Sequence, residues 1–460
     1  MAGEETDRPK HEKKQRGEIV DIVAHVKKLE EDLIPHTITE KLSRLSDIWI
    51  EEYTSPSGLA GAVAHFGHRI PRAEMDAFVK PILDARPQKD NGLENKPIGY
   101  DHGFGAVWRT PEGYTQEEID NDTFETALRL AKRTLRLKGW SARDVDVVDF
   151  ANSAATKGMS EALKRKLVEE LGLREEAEVK GTFLACDGAG NALYERLKDS
   201  ASKGVKGQKV LLLSIDQVTA EMPLDETKVD PLTMQIFSNG AAALAYEVGE
   251  EEYDLKLLTG TTATYEDTKR ALTASPRYEE AIKAIDALPE EEKQGLIRDG
   301  IIYRISNNEW AIKLPEPEPG QKGEMNGGDT AKFFVLNALK NIPETYRKYK
   351  EMFGDREPDY AIAHHPSYPT LLFLQGLLVK KGINLPLKWI VPEGNSSGAT
   401  SLIAFVRSME KFKPGDHVMY VSFGAGGSFT SFVVEIGGKN AKKDDGAEVV
   451  VYREPQSVAA

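Results

Sequence analysis

Val179-Lys180-Gly181-Thr182-Phe183-Leu184-Ala185-Cys186 has the texture of a short strand, and Asp187-Gly188-Ala189-Gly190 ends it and opens a helix. In that helix Ala189, Ala192, Leu193, Leu197 and Ala201 recur every three or four residues and mark one buried face. Cys186 is the single cysteine among 460 residues. Taken alone, such a residue is a small buried hydrophobe. At a strand-to-helix junction, however, its thiol meets the positive end of the helix, where unpaired N–H groups favour the thiolate. The small residues after it let backbone and substrate approach closely. Asp187 reads as the first helical residue, complementing the helix dipole.

Outward from this junction, strands and helices alternate. Leu59 to Phe66 reads as a strand, Thr123 to Leu137 as a helix, Asp144 to Phe150 as a strand and Ser160 to Leu171 as a helix. Lys209 to Ile215 is a continuous apolar run, typical of a strand covered on both faces. The rhythm returns later: helix 329–352, strand 360–364, helix 370–380, strand 387–391, helix 398–409, and strands 417–423 and 429–436. The pattern predicts an α/β protein of two similar halves with buried sheets. The division is an N-terminal helical extension (1–55), a first half carrying the thiol (56–250), a second half (251–437) and a polar tail (438–460). Residues 265–325, with Pro315-Glu316-Pro317-Glu318-Pro319, read as an insertion that either caps a substrate entrance or decorates the periphery.

Composition narrows the class. One cysteine leaves no intramolecular disulfide and no Cys-based zinc site, and fits a reducing, cytoplasmic location. The charged N-terminus lacks a signal-peptide core, and no run of eighteen apolar residues could span a membrane. A net charge of −14 argues against nucleic acid as a general partner.

Three further motifs stand in order with Cys186. Ala361-Ile362-Ala363-His364-His365-Pro366-Ser367 ends a strand in histidine, Glu393-Gly394-Asn395-Ser396-Ser397-Gly398 opens a helix through asparagine, and Ser422-Phe423-Gly424-Ala425-Gly426-Gly427-Ser428 is a glycine turn between strands. Together with Ile236 to Ala243 and Met325 to Phe334, they resemble the thiolase-like superfamily, most closely its ketoacyl-acyl-carrier-protein synthase III branch. The resemblance covers about residues 57 to 437.

It implies a duplicated thiolase-like fold and Claisen-type carbon–carbon condensation of acyl thioesters. Cys186 is then the acyl-accepting nucleophile. His364 and Asn395 are the donors that stabilise an enolate, and the backbone N–H groups of Cys186, Gly424, Gly426 and Gly427 form the oxyanion hole. His365, on the opposite side of the strand, stands outside the triad. No metal or cofactor is implied beyond coenzyme A or acyl-carrier-protein thioesters as substrates, and a homodimer is expected. The family's coenzyme A-contacting segment falls at Ile98 to Phe104, which departs from the pattern except for Trp108 and Arg109 nearby. Lys380, Lys381, Lys388, Arg407, Lys411 and Lys413 could form a basic patch for an acidic carrier, or could simply be solvated. Hydroxymethylglutaryl-coenzyme A synthases, which need a carboxylate base, and type III polyketide synthases share the scaffold. A non-catalytic partner subunit would have no need of all three triad residues.

Overall fold

The computed structural model describes residues 38–41, 47–84, 104–153, 159–182, 184–205, 207–221, 224, 231–249, 253–264, 272–273, 289, 293, 302–304, 310–312, 324–325, 327–424 and 427–438. The first half contains β1 (Ile38–Lys41), β2 (Asp47–Thr54), β3 (Ala60–Pro71), α1 (Arg72–Asp84), β4 (Ala106–Arg109), α2 (Gln116–Lys138), β5 (Val147–Ala151), α3 (Met159–Leu171) and β6 (Glu178–Thr182). A 3-10 turn at Ala185–Asp187 leads into α4 (Gly188–Lys203), followed by β7 (Gln208–Asp216), α5 (Pro231–Ile236) and β8 (Gly240–Val248). The second half contains β9 (Leu255–Thr264), two short pairs formed by β10 (Leu272–Thr273) with β13 (Glu324–Met325) and β11 (Ile302–Arg304) with β12 (Trp310–Ile312), then α6 (Gly327–Phe353), β14 (Tyr360–Ala363), α7 (Tyr368–Lys380), α8 (Ala399–Ser408), β15 (His417–Phe423) and β16 (Ser428–Ile436).

The duplication is explicit in the strand order. The first sheet runs β1-β2-β3-β8-β7-β5-β6, with β4 also paired to β3, and the second runs β14-β15-β16-β9. From β3, successive neighbours are antiparallel, antiparallel, parallel and parallel. From β9 the senses are antiparallel, antiparallel and parallel, and a single parallel bridge of Ala361 to Leu387 stands where β6 does in the first sheet. The strand expected at 387–391 is thus reduced to that bridge, because Pro386 and Pro392 flank it and withhold amide donors.

Both faces of each sheet are covered, which is why the central strands read as unbroken apolar runs. Along β7, Val210 and Leu212 face the middle layer, and Leu211 and Leu213 face α2. Along β15, Val418 and Tyr420 face inward, and Met419 and Val421 pack outward with α6 and α7. Helices α4 and α8 fill the middle layer between the sheets. A capping box of Thr115 and Glu118 starts α2, and Gly139 ends it at φ 72°.

One domain assignment is corrected. Residues 38–41 and 47–54, expected within a helical extension, are strands, and β2 pairs with β3 along its whole length. Ile48 and Ile50 are buried with exposed Asp47 and half-buried Trp49 between and beside them, which is a two-residue period and not a helical one. The apolar positions 19–29, the motif from Ile98 to Gly103, most of the insertion and the tail beyond Gly438 lie outside the described residues.

The inter-layer contact gives a test. A Cβ on Gly190 of α4 would stand 1.9 Å from Ser422 Oγ on β15. Gly190→Ala should therefore lose about 1–3 kcal/mol in urea denaturation. At Gly376 in α7 an added Cβ meets open space. Gly376→Ala should be neutral or stabilising by up to about 1 kcal/mol. Equal effects at the two positions would show that the α4–β15 contact is not tight.

Candidate active site

Cys186 sits in the 3-10 turn that feeds α4, half-buried, with its Sγ 3.2 Å from Ser397 Oγ. The residue before it, Ala185, has φ 46°, and Ser397 has φ 48°. These are the two described non-glycine residues with positive φ: one precedes the thiol in sequence and the other contacts it. Gly398 backs this arrangement, since a Cβ there would lie 2.7 Å from Ala185 O. The glycine turn closes from the other side: a Cβ on Gly424 would lie 2.6 Å from Leu184 O.

Asn395 is buried in the turn that enters α8. Its N–H donates to Ile236 O at 2.8 Å and its carbonyl accepts from Ser238 N at 3.1 Å. Its Oδ1 accepts from Ser397 N (2.9 Å) and Thr400 Oγ1 (3.1 Å). The amide oxygen is thereby committed, and the NH₂ end remains as a donor.

His364 ends β14, where its N–H donates to Val421 O at 2.9 Å and its ring stands edge-on to Phe423 at 5.2 Å. Phe423 immediately precedes the glycine turn. Burial, with a smaller contribution from His365, lowers the His364 pKa to about 3, so the imidazole is neutral near pH 7. Its Nδ1 is enclosed without a hydrogen-bond partner among the described residues. His365 is turned elsewhere: its Nε2 donates to Lys388 O at 2.7 Å, and its ring meets Trp389 edge-on. It pins the 388–390 segment to the strand end.

A chain of contacts thus runs from His364 through Phe423 and Gly424 to the Cys186 turn, and through Ser397 to Asn395. Two expectations require correction. Gly424 N–H donates to Ser428 O (2.8 Å) and Gly427 N–H to Gly424 O (3.1 Å), so both amides are used within the turn and cannot hold an oxyanion there. Gly426 lies outside the described residues. Asp187 makes no side-chain cap on α4. It is fully buried and accepts instead from the hydroxyls of Ser422, Ser428 (2.5 Å) and Thr430 (2.9 Å) on the β15–β16 hairpin.

A second buried carboxylate, Asp216 at the end of β7, had no sequence signal. It accepts from Ser153 N (2.6 Å), Ser153 Oγ (2.5 Å) and Ala399 N (3.0 Å), and so holds the start of α8. Trp108 and Arg109 are buried. Trp108 packs edge-on to Trp49, and Arg109 donates to Met234 O at 2.9 Å. Arg407 is likewise withdrawn from any surface patch, donating to both oxygens of Glu51 and of Glu393 at 2.7–3.1 Å.

No protein-family model matches the chain. The folded architecture is the duplicated thiolase-like fold. A 3-oxoacyl-acyl-carrier-protein synthase III from Thermus thermophilus superposes with a TM-score of 0.54 at 17% identity, covering 85% of this chain and 98% of that one. Germicidin synthase from Streptomyces coelicolor, a type III polyketide synthase, gives 0.57 at 14% identity, covering 85% and 100%. In sequence, the chain is 19% identical over 374 residues to a hydroxymethylglutaryl-CoA synthase from Pyrococcus horikoshii, spanning 76% of this chain and 88% of the relative.

Burial raises the pKa of both Asp187 and Asp216 to about 6, against the opposing pull of their hydroxyl and amide donors. A carboxyl whose folded pKa exceeds its unfolded value of 3.8 adds stability that is complete below pH 3.8 and is lost as pH rises through about 6. The buried histidines act in the opposite sense, so the informative quantity is the difference between variant and wild type. Asp216→Asn should reduce overall stability yet remove part of the loss between about pH 4 and 7, measured by urea denaturation at each pH. A variant losing as much over that range as the wild type would show that Asp216 titrates normally.

Proposed function

We propose that the protein is an acyltransferase that condenses two acyl thioesters through a Cys186 acyl-enzyme, decarboxylating the second substrate. The observation carrying this reading is the chain of contacts that joins a thiol at the turn into a helix, a neutral buried imidazole linked to that turn through Phe423 and Gly424, and an amide oriented by its own turn to donate.

In the first step the Cys186 thiolate attacks the carbonyl carbon of an acyl thioester. A new carbon–sulfur bond forms, the tetrahedral oxyanion collapses, and the carrier thiolate leaves and takes up a proton. In the second step a malonyl thioester loses carbon dioxide, and the electron pair of the broken bond moves towards its thioester oxygen as an enolate. His364 and Asn395, as neutral donors, stabilise that charge. The enolate carbon then attacks the acyl carbon, the Cys186 carbon–sulfur bond breaks, and the thiolate is regenerated. A protonated histidine would also attract the malonyl carboxylate and oppose its loss, so the low pKa of His364 suits the second step.

A second reading keeps the fold and replaces decarboxylation with deprotonation of an acetyl group, as in a hydroxymethylglutaryl-CoA synthase. The curated sequence relatives favour it. Against it, deprotonation needs an accessible carboxylate base. Asp187 and Asp216, the buried acids of the nucleophile turn and of the α8 entry, are occupied by three donors each.

Intact-mass spectrometry with a panel of acyl thioesters tests the first step. Wild type should gain one acyl group, and Cys186→Ala none. His364→Ala and Asn395→Ala should still acylate but lose carbon dioxide release from a malonyl thioester by about 10²–10³-fold each. His365→Ala should act mainly on stability. Loss of decarboxylation in His365→Ala with retention in His364→Ala would reverse the histidine assignment. Normal decarboxylation in all three variants would leave a Cys-dependent acyltransferase of another kind. Condensation of acetyl and β-ketoacyl thioesters without carbon dioxide release would establish the second reading.

A further inference from the structure

Ser397 is absent from the triad, yet its hydroxyl is 3.2 Å from the sulfur of Cys186. The side chain is buried, and its backbone is held at φ 48°, a left-handed conformation that strains a non-glycine residue. Such strain persists only where surrounding structure imposes it. Here the imposing groups are visible. Ser397 N–H is tied to Asn395 Oδ1, Gly398 is pressed against Ala185 O, and the next residue, Ala399, is tied through its N–H to Asp216. The turn is therefore clamped on both sides of Ser397, and the product of the clamping is a hydroxyl on the sulfur.

We propose that Ser397 is a further catalytic residue, whose Oγ–H donates to Sγ of Cys186 and holds the sulfur as a thiolate ready to attack the first acyl thioester. The inference rests on the reading of Cys186 as nucleophile. Either atom of the pair can donate when the thiol is protonated; once it is ionised only the hydroxyl can, so the bond strengthens with the charge. In the acyl-enzyme the sulfur becomes a thioester sulfur, a poor acceptor, and the hydroxyl loses its charged partner. Ser397 thus assists acylation and helps stabilise the thiolate that departs after condensation, whereas His364 and Asn395 act on the second substrate. The ionisable side chains near this pair are already committed. Asp187 is turned into the β15–β16 hairpin, Asp216 is bonded to Ser153 and Ala399, and His364 is neutral.

The test is the pH dependence of iodoacetamide alkylation at Cys186 in the full-length protein, followed by mass spectrometry, for wild type, Ser397→Ala and Ser397→Gly. The alanine variant removes the hydroxyl and keeps the strained backbone, whereas glycine removes the hydroxyl and relieves the strain. Both should move the midpoint of alkylation upward by about one pH unit, with about tenfold slower labelling below it. A raised midpoint in the alanine variant with a wild-type midpoint in the glycine variant would assign the effect to backbone strain and overturn the proposal. Wild-type midpoints in both would overturn it outright. Acyl transfer to wild-type Cys186 is measured alongside. Its absence would sink the condensing reading while leaving the thiol titration as an independent result.

Discussion

The candidate site depends on two buried carboxylates that hold the halves of the chain together around Cys186. Asp187, one residue after Cys186, belongs to the first half and is satisfied wholly by hydroxyls of the second, from Ser422, Ser428 and Thr430. Asp216, at the end of a first-half strand, binds the first turn of α8 in the second. A buried carboxylate without donors costs several kcal/mol, so each acid tolerates little displacement of its partners. The position of the glycine turn and the α8 entry relative to Cys186 is thereby fixed by polar satisfaction, with the apolar packing of α4 against α8 behind it.

The pseudo-symmetry explains why these residues meet. Cys186 lies two residues before Gly188, the first residue of α4, and Ser397 lies two residues before Ala399, the first of α8. Helices α4 and α8 occupy corresponding places in the two halves and lie side by side between the sheets. Their entry turns must therefore face one another, and the paired residues at those turns are the thiol and the hydroxyl. One half supplies the thiol from this position, and the other supplies the hydroxyl beside it together with Asn395.

Much of this was legible locally. The α4 face, the unbroken run of β7 and the order of Cys, His, Asn and glycine motifs all follow from short-range pattern, because strand alternation and helical period are properties of neighbouring residues. Adjacent histidines at a strand end diverge for the same reason, and His364 and His365 do turn to different neighbours. The misreadings share a different cause. Asp187 has the local look of a helix cap, and its hydroxyl partners, which lie more than 230 residues away in sequence, outcompete that role. The amides of Gly424 and Gly427 look free in a glycine-rich motif but are closed by the turn's own hydrogen bonds. Arg407 reads as one of several basic residues until the fold folds it inward.

Arg407 also shows why residues 47–54 belong with the two-half body. Its guanidinium grips Glu51 on β2 in a two-bond fork at 2.8 and 3.1 Å, and Glu393 in another at 2.7 and 2.9 Å. Glu393 lies two residues before Asn395, so the asparagine turn is braced by a strand that the charge-rich N-terminal sequence had disguised. Tyr53 donates to Glu51 at 2.6 Å, and His65 approaches Glu393 at 3.6 Å, extending the brace into β3. Removing one member of such a cluster strands the opposite charge in a dry interior, a cost of about 3–5 kcal/mol that is larger than the intact cluster's own net worth. The network therefore acts less as a source of stability than as a constraint. It permits one path for the chain from Trp389 into α8, and along that path the Asn395 amide is delivered with its oxygen already engaged and its NH₂ group left to donate.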